Sequence, residues 1–176
     1  LEHIVREIAF EKDLAGKRVL VTAGATRERI DPVRFITNHS SGKMGFAVAK
    51  AAMLRGAEVT VVAAHTDVEP PMFANVVKVE SAQDMFEAVK ERLDSVDFVV
   101  KAAAVADYTP VTVADNKIKK ADGDMSIQLK RTTDILGYIG QNRRPDQVIC
   151  GFSMETENML ENSRKKLTKK NCDMIC

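Results

Sequence analysis

Short apolar runs recur along this chain, rich in β-branched residues and separated by stretches with helical spacing. RVLVTA (Arg18–Ala23), EVTVVAA (58–64), VVKVE (76–80), FVVKAAAVA (98–106) and QVICGF (147–152) are the clearest. A strand that is apolar on both sides must be covered on both faces, which is the situation of parallel strands joined by helices. The intervening stretches fit that role. Met44, Val48, Ala51 and Ala52 share one face of a helix over 43–55, stopped by Gly56. Ser81 with Asp84 caps a helix running to about Leu93, and Thr132 or Thr133 caps one over 134–141. Residues 156–170 form a basic amphipathic helix, and the chain returns to a strand from Cys172. Residues 126–131 alternate like a half-exposed strand. The alternation predicts an α/β fold: a Rossmann-like, doubly wound, mainly parallel sheet with helices on both faces.

A chain of 176 residues is enough for one such domain. Leu1, Ile4, Val5 and Ile8 share a helical face, so residues 1–16 read as a linker or the helical remnant of an upstream segment. Residues 17–176 read as the domain, truncated within the apolar CDMIC run at its C-terminus. With 45% apolar and 29% charged residues the composition is that of a folded protein, and a net charge of +1 gives no global field for nucleic acid or an anionic membrane. No apolar run approaches the roughly 18 residues of a spanning helix. The first residues carry Glu2, Glu7 and Glu11 rather than a secretory core, so a cytoplasmic location is expected. Cys150, Cys172 and Cys176 read as small core residues in a reducing compartment. His3, His39 and His65 lie too far apart to suggest a zinc site.

Two loops interrupt the rhythm, 24–42 and 107–124, and loops of that length in a compact domain tend to be functional. Both follow strands, so both open on the carboxyl edge of the sheet, where ligands bind in such folds. The first ends in SSGKMG at a helix start. It satisfies neither the dinucleotide fingerprint nor the Walker loop, because Gly24 is far from Gly42 and Lys43 is followed by Met44. Ser40, Ser41 and Gly42 still offer hydroxyls and backbone amides at the positive end of a helix. The plainer alternative is that a serine merely caps it. Thr26, Arg27, Arg29, Arg34 and Asn38 add more polar reach than a cap needs.

TAGATRERIDPVRFITNHSSGKMGFAVAKAA, KAAAVADYTP and NKIKK stand in the order of three signatures of bacterial phosphopantothenoylcysteine synthetase. The chain resembles that family, the second half of the bifunctional coenzyme A biosynthesis flavoprotein, from about Lys17 to Cys176. The resemblance implies a ligase that activates 4′-phosphopantothenate with CTP as an acyl-cytidylate and then joins L-cysteine. It implies catalytic roles for Asn38, as a donor to the acyl oxygen, and for Lys117, as a charge on the phosphoryl group. Arg34 and Asn38 would bind the acyl substrate. Ser40, Ser41, Gly42, Lys101, Ala102, Ala103, Asp107 and Lys117 would contact the nucleotide. So would Thr133, Asp134, Ile135, Leu136, Phe152, Lys166 and Lys170. Lys101 replaces the small residue of the family pattern, and a strand lysine there can also aim its head at the ligand edge. Mg²⁺ is expected to ride on the triphosphate, with no carboxylate nameable as its ligand. FMN would belong only to a separate upstream decarboxylase domain. The family is dimeric, and 126–131 offers an edge strand for pairing. Gly123 and the like-charged lysines suggest that 107–124 is mobile without ligand.

Two other classes remain on the same sheet. A short-chain-dehydrogenase-like NAD(P) oxidoreductase would need a Tyr-x-x-x-Lys pair, whereas Tyr108 and Tyr138 are followed by Thr112 and Asn142. A nucleotide-binding regulatory module would need neither Asn38 nor Lys117.

Overall fold

The computed structural model describes residues 8–120, 122–154 and 157–176. In chain order the strands are β1 (Arg18–Ala23), β2 (Arg27–Arg29), β3 (Phe35–Thr37), β4 (Glu58–Ala63) and β5 (Asn75–Lys78). They continue with β6 (Phe98–Lys101), β7 (Tyr108–Pro110), β8 (Leu129–Arg131), β9 (Val148–Gly151) and β10 (Met174–Ile175). Four α-helices are described: α1 (Lys43–Leu54), α2 (Ala82–Arg92), α3 (Ile135–Asn142) and α4 (Met159–Lys169). The main sheet has six strands in the order β10-β9-β6-β1-β4-β5, every neighbouring pair parallel. The chain winds outward from β1 through β4 and β5, then returns to the other side of β1 as β6. That reversal makes the gap between β1 and β6 the switch point of a doubly wound sheet.

The apolar runs are continuous because each strand feeds two cores. Val19, Val21 and Ala23 of β1 face Phe46 and Ala49 of α1. Leu20, between them, packs on the opposite face with Met85, Val89, Ile135 and Ile139. Leu20 is fully buried, so truncating it to Ala is expected to cost about 2–5 kcal/mol. α2 starts where the sequence indicates. The Ser81 hydroxyl accepts from Asp84 N at 3.1 Å and the Asp84 carboxylate accepts from Ser81 N at 2.9 Å. Buried Glu28 adds a second acceptor at the same helix end, 2.8 Å from Ala82 N.

Several boundaries differ from the sequence reading. The strand 98–106 stops at Lys101, because the next amides leave the ladder: Ala103 N donates to the Thr22 hydroxyl and Ala104 N to Gly24 O. α3 is capped by Asp134 itself, whose carboxylate accepts from Gly137 N, and not by Thr132 or Thr133. α1 is capped by neither serine; its cap position is Gly42, in left-handed backbone with no side-chain bond. The 126–131 strand is shortened to β8 and pairs antiparallel with β7, which was not anticipated. Nor were β2 and β3, an antiparallel ribbon inside the first long loop. Cys150 and Cys172 are only half-buried and Cys176 is exposed, so the thiols lie at the sheet margin and not in the core. Cys150 and Cys176 stand 3.8 Å apart, and burial, then the neighbouring thiol, pushes Cys150 up to about 12. The expected helical face at Leu1, Ile4 and Val5 and the start of the last helix at Thr156 fall outside the described residues.

Candidate functional site

Beyond the carboxyl ends of β6 and β9 the structure leaves a cavity of about 400 Å³. Lys101, the last residue of β6, and Phe152, just past β9, reach it from the sheet. Thr133, Asp134, Ile135 and Leu136 bring the start of α3 to it, and Lys166 and Lys170 come from α4 and its C-cap. Asp107 closes the side nearest β7. The sequence separates these residues widely, yet the fold brings them to one place. Val105, Tyr108, Arg131 and Thr132 complete the wall. None of those four was foreseen. Tyr108 and Arg131 arrive together because they are register partners in the β7–β8 ribbon.

The charges in this cavity are only partly satisfied by the protein. Lys170 Nζ pairs with the Asp134 carboxylate, and Lys166 Nζ donates to Phe152 O at 3.0 Å. Burial tends to raise Asp134, but Lys170, the Gly137 amide and the charge of Lys101 outweigh it and hold the carboxyl below its ordinary value. Lys101 Nζ reaches only the Ala103 carbonyl, at 3.4 Å. Its pKa is pushed down to about 8, first by burial and then by Lys166, with Lys170 adding and Asp107 and Asp134 opposing. Three ammonium groups and the Arg131 guanidinium against two carboxylates leave a positive surplus suited to a polyphosphate. Among the described residues no group of three or more His, Cys, Asp or Glu could hold a metal ion. Asp107 and Asp134 are the carboxylates in this cavity.

The alanine segment lies against β1 and its continuation. Buried Thr22 and Thr26 accept from Ala103 N at 3.1 Å and from Ala106 N at 3.0 Å. The Ala103 amide is thereby spent on Thr22, while Ala102 stays half-exposed. Small side chains are needed here for backbone to lie beside backbone, and Ala25 and Ala104 form a parallel bridge.

The first loop places its residues differently. Asn38 is exposed, and its amide donates to Val105 O at 3.2 Å, at the rim of the cavity. Ser40 and Ser41 are half-buried beside the start of α1, and Ser40 Oγ lies 3.4 Å from Gly42 N. The bare face of Gly42 is not open to a ligand: a Cβ there would collide with the Thr66 side chain. Gly24 likewise abuts the His65 carbonyl. Ala25 and His65 exchange backbone bonds, and Asp67 N donates to Ser41 O at 3.1 Å.

Arg34 and Lys117 meet in a second cavity of about 680 Å³ with Ile118, Lys119 and Lys120. Arg34 is already engaged there. Its Nε and Nη2 donate to Asp31, and Nη2 also to Ile118 O at 2.9 Å. Asp31 is 1% exposed and also accepts from the amides of Val33, Arg34 and Ile118. Hydrogen bonding from Arg34 holds its carboxyl well below the usual range. The sequence reading missed this carboxylate, though the DPV turn was a local signal. Ala114 N donates to Ile30 O, so the expected free flap is tied to the first loop at 114 and 118.

The family model for the DNA/pantothenate metabolism flavoprotein C-terminal domain matches residues 14–176. The coenzyme A biosynthesis bifunctional protein CoaBC of Bacillus subtilis (strain 168) is 50% identical over 163 residues, 92% of this chain and 40% of that relative. A cysteine/cysteine sulfinic acid decarboxylase of an unknown prokaryotic organism is 46% identical over 183 residues, 99% of this chain and 51% of its own length. The chain thus spans about half or less of these relatives. The crystal structure of the C-terminal domain of a CoaBC protein superposes with a TM-score of 0.81 at 50% identity, covering 92% of this chain and 76% of that one. By sequence and by fold, the chain belongs to the DNA/pantothenate metabolism flavoprotein C-terminal domain family.

Proposed function

We propose that this chain is a phosphopantothenate–cysteine ligase, using CTP to make an acyl-cytidylate and then forming the amide with cysteine in coenzyme A biosynthesis. One observation carries the reading: motif residues spread from Lys101 to Lys170 converge on one cation-lined cavity at the carboxyl edge of β6 and β9. The 50% identity to a CoaBC protein supports it.

In the first step the acyl carboxylate attacks the α-phosphorus and pyrophosphate leaves. Lys166 and Lys170 hold the triphosphate, and Phe152 and the α3 start hold the nucleoside. Lys117, exposed in the loop tied to Arg34, swings onto the phosphoryl oxygens as charge gathers there. We assign Ser40 and Ser41 to the phosphates through their hydroxyls and Gly42 only through its backbone, since Thr66 occupies its bare face. In the second step the cysteine amine attacks and CMP leaves. Asn38 already spends one amide hydrogen on Val105, which aims the other at the acyl oxygen. Such a preorganised donor contributes about 3–4 kcal/mol to lowering the barrier. Arg34 binds the acyl substrate by giving up its contact with Ile118. Mg²⁺ carried on the nucleotide substrate would supply charge neutralisation for the leaving pyrophosphate.

The bifunctional relative is longer than the matched region, and we assign flavin chemistry and decarboxylation to a separate unit. Among the described residues no helix is long and apolar enough to cross a membrane. The outer edge of β8 is unpaired among the described residues, and we assign it to homodimer contacts, testable by light scattering. The oxidoreductase reading is disfavoured, because Gly24 meets His65 where a dinucleotide pyrophosphate would approach. The deciding experiment incubates the protein with 4′-phosphopantothenate, CTP, Mg²⁺ and cysteine. CMP, pyrophosphate and the amide product are expected, and pyrophosphate without cysteine. Product formation independent of CTP, or none at all, would overturn the reading.

A further inference from the structure

One lysine in the cavity has no settled partner. Lys170 has Asp134 and Lys166 has the Phe152 carbonyl, but Lys101 has only a long contact to Ala103 O. It sits at the end of β6, beside the switch point, on the floor of the cavity. Lys166 and Lys170 share that cavity from the α4 side, Arg131 from β8, Tyr108 from β7, Asp107 from the turn before it and Asp134 from the α3 cap. Both carboxylates are within electrostatic range of Lys101, yet neither makes an ion pair with it.

We propose that the Lys101 ammonium leaves the Ala103 carbonyl when a polyphosphate enters and becomes a third cation on its oxygens, so that nucleotide binding is coupled to proton uptake. This rests on the nucleotide reading of the cavity given above. Free, Lys101 is pushed down to about 8 because it is buried and repelled by Lys166. An anion in contact favours the charged form and reverses that shift. The proton comes from solvent and lands on Nζ. The sign follows from linkage: affinity is greatest below pH 8 and falls as pH rises above it, by up to about tenfold per pH unit. At pH 8 about half a proton should be taken up per site.

Isothermal titration at pH 8.0 in buffers of different ionisation enthalpy measures this directly, with Mg²⁺–CTP and inorganic tripolyphosphate as probes. The expected result is an observed enthalpy that varies with buffer by about half a proton. Lys101→Arg, always charged, should bind as tightly with a flat pH profile and no buffer dependence. Lys101→Met should be equally flat and about tenfold weaker at pH 7. Wild-type binding with no buffer dependence, or a Lys101→Arg profile that falls like the wild type, overturns the proposal while leaving the CTP site standing. Tripolyphosphate bound with proton uptake but CTP not bound supports the proposal and overturns the nucleotide reading. Binding of neither probe overturns both.

Discussion

The turn after β1 and the hollow beyond β6 and β9 flank the same switch point but use their space in opposite ways. The first is filled by the chain itself, with His65 and Thr66 seated against Gly24 and Gly42. The second is left open, and its lysines make do with a carbonyl, a carboxylate and a long contact. In sheets of this winding a glycine turn after the first strand commonly receives phosphate. Here the bare faces of the glycines serve packing, so the turn has only serine hydroxyls and backbone amides to offer a phosphate, and the lysines stand on the other side of β1.

The largest effect that would break this contrast is at Gly24. Its φ of 80° and its contact with the His65 carbonyl make Gly24→Ala costly, about 3 kcal/mol or more. Urea denaturation should show that loss, while the folded fraction keeps its CTP affinity. Unchanged stability with lost binding would mean that the bare face of Gly24 serves a ligand after all. Next come the two residues assigned to the chemical steps. Lys117→Gln should suppress pyrophosphate release about a hundredfold even without cysteine. Asn38→Asp should release pyrophosphate yet slow amide formation about a hundredfold, accumulating acyl-cytidylate. Quenched single turnovers separate the outcomes, and both variants stalling at one step would defeat the division of roles. Lys166→Ala and Lys170→Ala should each weaken CTP binding about tenfold, with a shallower salt dependence than the wild type. The smallest effect sharpens the filled side. Thr66→Ser removes the methyl resting on Gly42 and should cost about 0.5–1 kcal/mol, with CTP affinity unchanged. A change in affinity larger than the change in stability would place the nucleotide against the face of Gly42 that Thr66 covers.

What could be foreseen follows from how local each signal is. β1 and β4 were legible because their alternate residues feed two different cores, which leaves only a β-branched threonine in each to interrupt the run. β2, β3 and β7 were not, since three residues cannot display a period. Their pairing is set by register with a distant partner. The end of β6 was misjudged because an alanine run looks the same in a ladder and in a segment bonded to threonine hydroxyls. The cavity residues came from matching motifs, and the fold supplied the reason they belong together. Arg131 carried no motif, and Tyr108, though inside KAAAVADYTP, was given no role; their cross-strand pairing brings them there together. Asp31 is the clearest omission, because a carboxylate becomes a hub only when a remote amide such as that of Ile118 arrives beside it.

That hub bears on how such a chain can vary in length. Ala114 is bonded to Ile30 and Ile118 to Asp31, so the few residues between them bridge two fixed points on the first loop. An insertion or deletion there would have to detach one anchor, and the buried Asp31 would lose an amide donor. Past Ile118 residues 119, 120 and 122–126 are exposed, and the next backbone tie is Val111 N donating to Gln128 O. Natural relatives should therefore keep one spacing from 114 to 118 and show their gaps between 119 and 126. In this way a single carboxylate divides a long loop into a part of fixed length and a part free to drift.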